Sequence, residues 1–551
     1  MYNIVQAKIW KTLGKVDDLI NLVLDAFVHF SVEHGVGSAQ TEAMADTFVT
    51  LSNVAVRGKV IARLRKVLQR TSLKPSRILT EHPAWTEIAV LIRFILMLSF
   101  NIQGPVKPYI PEMFHIVSML AATGPTLIRT SVHGLTVNVI QTACTTMPLP
   151  EGSLKKMQFL LTDISDSKHR LLFGLTKPHA NAFTITQETM TDTAEPMPLA
   201  SLEAVVHTLL EALTFGAPSM GKLTINHQQV FFCIHINHHS YAVLSIDVAN
   251  MWRARWMSLV TSSAFQFNPA IQPRAFVVLG CLAQEEVDDD LLYQILVALR
   301  GALAIFNESD SNLITSIMMC LKNIVESLPA DSRYLQQLFW LAMALVQINH
   351  PATFATAVDL LQAALRALDA NGFFNDEPVV DVLMAAREPL VGVARLLDEA
   401  SGVNFETHFS FAVAGILMKG MKHSNPKNTV FQGLTTFLDI ECKHTMEQNI
   451  VESKTLGYLA GLLPIAAKNL ALKELLRLAG INDVEIENSE IGTTYFRIFD
   501  KLDIPNNTTA LLLVSLLVTM LNSADNETER LFLYGILAEA AVAIPEVFAL
   551  M

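Results

Sequence analysis

The chain has 551 residues, a formal net charge of −12, 51% hydrophobic residues and only 17% charged ones. That acidic balance excludes general nucleic-acid binding, which needs a positive footprint for phosphates. So few charges also mean that most helices must bury more than one narrow stripe, as they do in an array whose helix pairs have neighbours on both sides. The length allows about three or four globular domains or one long repeat array.

The opening "MYNIVQAKIW" has neither the basic start nor the apolar core of a secretory signal. It reads as a helix cut open, so a longer parent protein is expected. "VDDLINLVLDAFVHFS" places Leu19, Val23, Phe27 and Phe30 on one helical face. "KVIARLRKVLQR" does the same with Val60, Ile61, Leu64, Val67 and Leu68. Opposite that second face, Lys59, Arg63, Lys66 and Arg70 fall at steps of four, three and four, in a stretch with eight basic residues and no acidic one from Arg57 to Thr80. The stripe is either a solvated outer face or a dock for an acidic partner surface or anionic lipid head groups.

Helical periodicity continues through "WTEIAVLIRFILMLSF", "PEMFHIVSMLAAT", "LIRTSVHGLTVNVIQTA", "DDLLYQILVALRGALAIF", "YLQQLFWLAMALVQI" and "FATAVDLLQAALRALDA". Gly104-Pro105, Gly124-Pro125 and His350-Pro351 punctuate it, stopping one helix and turning the chain. Helix pairs recur at about forty residues, the period of HEAT and armadillo repeats. The expected fold is all-α, an α-solenoid of degenerate HEAT/armadillo-like repeats. Residues 1–146 read as N-terminal helical repeats and 147–198 as short helices with an exposed loop. Residues 199–479 read as central repeats carrying an atypical, strand-like insertion at 221–247, followed by an acidic linker at 480–509 and C-terminal helices at 510–551.

Candidate chemistry is sparse. "GAPSMGKL", Gly216 to Leu223, approaches a phosphate-binding loop, but Leu223 stands where a hydroxyl must reach the metal, and a helix rather than a strand precedes it. His227, Cys233, His235, His238 and His239 in the atypical stretch offer zinc-type donors without a second cysteine to complete a structural set. There is no G-x-S-x-G and no H-E-x-x-H. The acids of "QEEVDDD" read as a cap and dipole partner for the helix that follows. Five cysteines (Cys144, Cys233, Cys281, Cys320, Cys442) lie far apart with no C-x-x-C, which leads us to expect a reduced, intracellular chain. The purest apolar run, "ALLLVSLLVTML", is too short for a span of about twenty residues, so no transmembrane segment is expected. No catalytic residue, cofactor or metal site is assigned.

"AFQFNPAIQPRAFVVLGC" resembles the C-terminal helical-repeat region of neurofibromin and the fungal inhibitory regulators of Ras. So do, in the same order, "VQAKIWKTLGKVDDLINLVLDAF", "EAMADTFVTL", "LMLSFN", "LFWLAMALVQI", "GFFNDEPVVDVLMAAREPL", "GVNFETHFSFAVAGILMKGMKH", "LGYLAGLL" and "LFLYGILAEAAVAIPEVF". The resemblance implies a Ras GTPase-activating protein whose full chain carries a catalytic domain, then a Sec14-like and PH-like module. Catalysis there rests on an arginine finger that stabilises charge on the transferring phosphate. "FQFNPA" shares only its last three letters with the catalytic domain's signature, so the chain itself is expected not to be an enzyme. The resemblance further implies a HEAT-like scaffold of a homodimer that positions the catalytic modules, in the cytoplasm or peripherally at the inner membrane face. A HEAT-type adaptor for trafficking or transport is the alternative on composition alone. Residues 221–247 have no counterpart in the family and read as a surface insertion or as non-coding sequence in a gene model.

On this reading, Asn268-Pro269 ends one helix and Pro273, in the first turn of the next, costs no helical hydrogen bond. Arg274 then stands where it can bond carbonyls or carboxylates of a neighbouring repeat. The strip is expected to be a structural inter-helix joint rather than a partner-binding loop.

Overall fold

The computed structural model describes Thr12 and residues 16–51, 54–100, 109–147, 149–177, 180–192, 197–216, 248–283, 287–306, 311–348 and 350–401, with parts of 405–444 and 511–549. Among these residues there are helices and no strand, and the fold is an all-α solenoid. The chain divides into two compact units, Met1–Ala283 and Gln284–Met551.

The first unit begins with α1 (Asp17–His34), which Gly35 ends at φ +83°. The carbonyls of Ser31 and Gly35 also accept from the Thr41 hydroxyl, at 3.2 and 2.7 Å, at the start of α2 (Ala39–Leu51). The buried face of α1 is Ile20, Leu24, Val28 and Ser31, whereas Leu19 and Phe30 are exposed. The expected face is therefore rotated by about one position. Two overlapping apolar stripes run along this helix, and the packing of α2 selects the one that pairs with Ala45 and Phe48.

α3 (Val54–Arg70), α4 (Trp85–Leu98), α5 (Ile110–Leu120) and α6 (Thr126–Thr146) follow. Val60, Ile61, Leu64, Val67 and Leu68 of α3 are all buried. α4 is buried without a break from Ile88 to Leu96, and α5 along its whole length. Helices apolar all round are core helices, and these two are flanked by α1, α2, α3 and α6 on one or other side. Gly124, at the α5–α6 corner, has φ +81°, and a Cβ there would run into the Trp85 indole. Both facts demand glycine.

α7 (Glu151–Ser165), α8 (Ser167–Leu172) and α9 (Gln187–Thr191) lead to α10 (Leu199–Gly216), α11 (Val248–Ala264) and α12 (Gln272–Leu282). The Thr- and Pro-rich stretch between α8 and α9 is not a free loop. Arg129 donates to the Gly174 carbonyl, Arg170 to Ala180 O at 2.6 Å, and Arg93 to Ala182 O at 2.6 Å. Arg93, with no exposed side-chain surface, also forks onto Glu42 at 3.0 and 2.5 Å and reaches Ser131 Oγ at 3.0 Å. A buried guanidinium is tolerated only with its donors answered, and a backbone loop completes the set. These bonds anchor the loop at Gly174, Ala180 and Ala182, while most of its described residues stay exposed, as its composition suggests.

In the second unit, Asp288 caps α13 (Asp289–Ala304) by accepting from Leu291 N at 2.7 Å, with Asp289 and Asp290 in the first turn. This is the capping role expected for the acidic run; Gln284 to Glu286 lie outside the described residues. α14 (Asn312–Val325), α15 (Leu335–Ile348), α16 (Pro351–Ala370), α17 (Val379–Arg387), α18 (Val391–Ser401) and α19 (Lys427–His444) follow, then α20 (Glu527–Ala543) and α21 (Pro545–Phe548). Pro351 opens α16 as its first residue, where no helical N–H is lost. α16 packs against α14, α15 and α19 and is the centre of this unit. The insertion at 221–247 and the linker at 480–509 lie outside the described residues.

Candidate interaction surfaces

The basic stripe lies on α3, opposite its buried face, but its charges are unequally engaged. Arg63 pairs with Asp25 of α1 and, through Nε at 2.8 Å, with Glu87 of α4. Arg70 reaches the other oxygen of Glu87 at 3.2 Å. Lys59 is half-buried and has a partner within the protein, while Lys66 is exposed. Two of the four cations thus serve as clamps between α3 and its neighbours.

The joint is built differently from its expected form. The preceding helix stops at Ala264, four residues before Asn268, because the chain needs those residues to turn. Asn268 is buried within the turn: its carbonyl accepts from Ile271 N at 3.0 Å and Gln272 N at 2.8 Å, and its Nδ2 donates to Thr71 Oγ1 at 2.6 Å. Pro269 follows in the turn, and Pro273 sits in the first turn of α12. Gln272 Nε2 closes back on Ala264 O at 2.9 Å. Arg274 reaches the Ser118 carbonyl of α5, at 3.4 Å. Burial lowers its pKa to about 10, which leaves it charged at neutral pH. On α5, His115 is driven down to about 3, by burial first and the Arg65 charge second, and is neutral. Glu112, also buried, accepts from Arg255 Nε at 2.9 Å. Asn268, Arg274 and Arg255 therefore lock α11 and α12 onto α3 and α5.

The second unit carries a surface that sequence reasoning missed. A cavity of about 360 Å³ opens between α15 and α18, lined by Leu296, Leu338, Leu341, Leu390, Val393 and Leu397 among others. Arg387 forms its polar floor. Its guanidinium forks onto Asp398 at 2.8 and 2.5 Å and lies over the rings of Trp340 and Phe405 at 4.4 and 4.7 Å. The Trp340 indole N–H donates to Leu383 O at 2.7 Å. Val393 and Leu396 on α18 are 75% and 68% exposed, so this helix offers apolar side chains to solvent. The signal was present in "VGVARLLDEA", which has apolar residues on two faces, but only the packing tells which face is covered.

The phosphate-loop-like run beyond Gly216 and the histidines of the atypical stretch lie outside the described residues. By length and composition, one described helix, α10, is apolar enough to cross a membrane. It carries Glu203, His207 and Glu211, and its Leu202, Val205, Val206, Leu209 and Leu213 are buried, with α7 and α12 packed against the helix, as in a core helix. Cys144, Cys281 and Cys320 form no disulfide.

No protein-family profile matches the chain. Curated relatives do. The chain is 20% identical over 460 residues to "Inhibitory regulator protein IRA2" of Saccharomyces cerevisiae, and 19% identical over 421 residues to "Inhibitory regulator protein IRA1" of the same yeast. These alignments take in 82% and 75% of this chain but only 14% and 12% of the relatives' own lengths. The chain is thus homologous to one segment of the yeast inhibitory regulators, in keeping with the resemblance that its apolar strings carry.

Proposed function

We propose that the chain is a non-catalytic helical scaffold and dimerisation region of an Ira-type, neurofibromin-like Ras GTPase-activating protein, a negative regulator of Ras whose catalytic domain lies elsewhere in the parent. The observation that carries this reading is the similarity to the two inhibitory regulators across most of this chain. Three of the resembling strings meet in one place: Trp340 of "LFWLAMALVQI", Arg387 of "AAREPL" and Phe405 of "GVNFETHFSF" stack on one another. All three are packing residues, which supports an architectural role for the segment. Its partners are a second copy of the parent and the parent's other helical and catalytic modules, with Ras met indirectly. The cytoplasm, including the inner membrane face, is where it works.

The test is single-turnover GTP hydrolysis by Ras with and without the purified chain. An unchanged rate is expected. A stimulation approaching the roughly 10³–10⁵-fold that an arginine finger supplies would overturn the non-catalytic assignment.

A further inference from the structure

The pairing of α10 with α12 brings together three metal-binding side chains that the sequence separates. Glu203 and His207 stand four residues apart on α10, hence on one face of the helix. Cys281 comes from the last turn of α12, which packs against that face. The donor atoms of all three lie within 4.8 Å of one another. Bond lengths of 2.0–2.3 Å set the ligand-to-ligand edges of a tetrahedral zinc site at about 3.3–3.8 Å, so a small side-chain rotation closes the set around one ion. Cys281 is fully buried, Glu203 half-buried and His207 exposed. The donors therefore run from the core to the surface, with the solvent side open to a fourth ligand.

We propose that Glu203, His207 and Cys281 form a binding site for a zinc-class divalent cation, with water as the fourth ligand, that pins α10 to α12. Thiolate and imidazole select a borderline-soft metal over magnesium or calcium. Thiolate and carboxylate together match the charge of a divalent ion, so the buried end of the site carries no net charge once the thiol proton has left for solvent. Glu203 and Cys281 each have a further interaction within the protein, which holds them in place and with which the ion competes. No residue of the joint belongs to this set.

The experiment titrates the metal-free 551-residue chain with Co²⁺, then displaces it with Zn²⁺. The expected result is one equivalent of cobalt with tetrahedral visible bands and a thiolate-to-cobalt charge-transfer band, together with zinc retained on dialysis. His207→Ala, at an exposed position, should preserve the circular dichroism spectrum. It should weaken binding by more than the roughly 10–100-fold that outer-shell changes cost. Cys281→Ser should abolish the charge-transfer band, and Cys320→Ser, at the other described buried cysteine, should leave it. Less than one equivalent bound, or a band that survives both His207→Ala and Cys281→Ser, overturns the proposal. So does a band lost only in Cys233→Ser, which would put the metal in the atypical stretch.

Discussion

The two units solve the same packing problem with different chemistry. In the first, long-range order runs through polar side chains that reach far along the chain: Arg93 to Glu42 and Ala182, Arg129 to Gly174 and Asp192, Arg255 to Glu112, Asn268 to Thr71. The second has such links too, from Lys443 and His444 to Asp369 among them, but its centre is a cluster of rings. Phe339, Trp340, Phe405, Phe409 and Phe437 contact one another in series around a single buried guanidinium, Arg387. Polar networks are directional and fail when one partner is removed. Aromatic clusters act through area and shape, and fail when volume is lost.

The largest effects are expected at the two centres. Arg93→Ala removes the guanidinium that holds the Glu42 carboxylate, together with the donor to Ala182 O, and should cost about 3–5 kcal/mol, the usual penalty for breaking a buried pair. Trp340→Ala should cost about 3–5 kcal/mol by cavity formation and loss of the ring beneath Arg387. Arg93→Met should recover part of the first loss if Glu42 is also made apolar, whereas no single polar residue should rescue Trp340→Ala. Chemical denaturation of the variants checks both. Equal rescue at both centres would erase the contrast.

Acid should then separate the units. The folded-state pKa of His115 is about 3, below the ordinary 6.5. As pH falls through 6.5 the unfolded chain takes up a proton that the folded chain refuses. Stability is therefore lost from pH 6.5 down to about 3, at up to ~1.4 kcal/mol per unit. His115→Leu should suppress roughly 2 kcal/mol of the loss between pH 6.5 and 5. An identical pH profile in the variant would show that His115 is protonated in the fold.

Smaller effects discriminate within the basic stripe. Arg63→Ala should cost about 1 kcal/mol through its two carboxylates and its packed stem, and Lys66→Glu should stay within about 0.5 kcal/mol. If instead Lys66→Glu destabilised as much as Arg63→Ala, the division of the stripe into clamps and a solvated cation would be wrong.

These contrasts also show what a single chain discloses. Helix positions were legible because glycine and proline mark real corners: Gly124 cannot carry a Cβ beside Trp85, and Pro351 opens a helix. The buried stripe of α3 was legible because charges flank it. That of α1 was not, because Leu19-Ile20 and Val23-Leu24 offer two adjacent apolar rows and only packing against α2, α3 and α4 chooses between them. Arg93 looked like one charge in an apolar run, since its partners lie on α2, on α6 and in the loop beyond α8. For the same reason the convergence of Glu203, His207 and Cys281 is invisible in sequence: the first two share a helical face, but the cysteine joins them only when α12 packs.

The scaffold reading turns on whether copies of this segment associate. Multi-angle light scattering of the 551-residue chain over a wide concentration range measures that directly. A concentration-dependent rise from 60.8 kDa to twice that mass is the predicted result. A single mass of 60.8 kDa at every concentration, in a chain with intact helical circular dichroism, would contradict it.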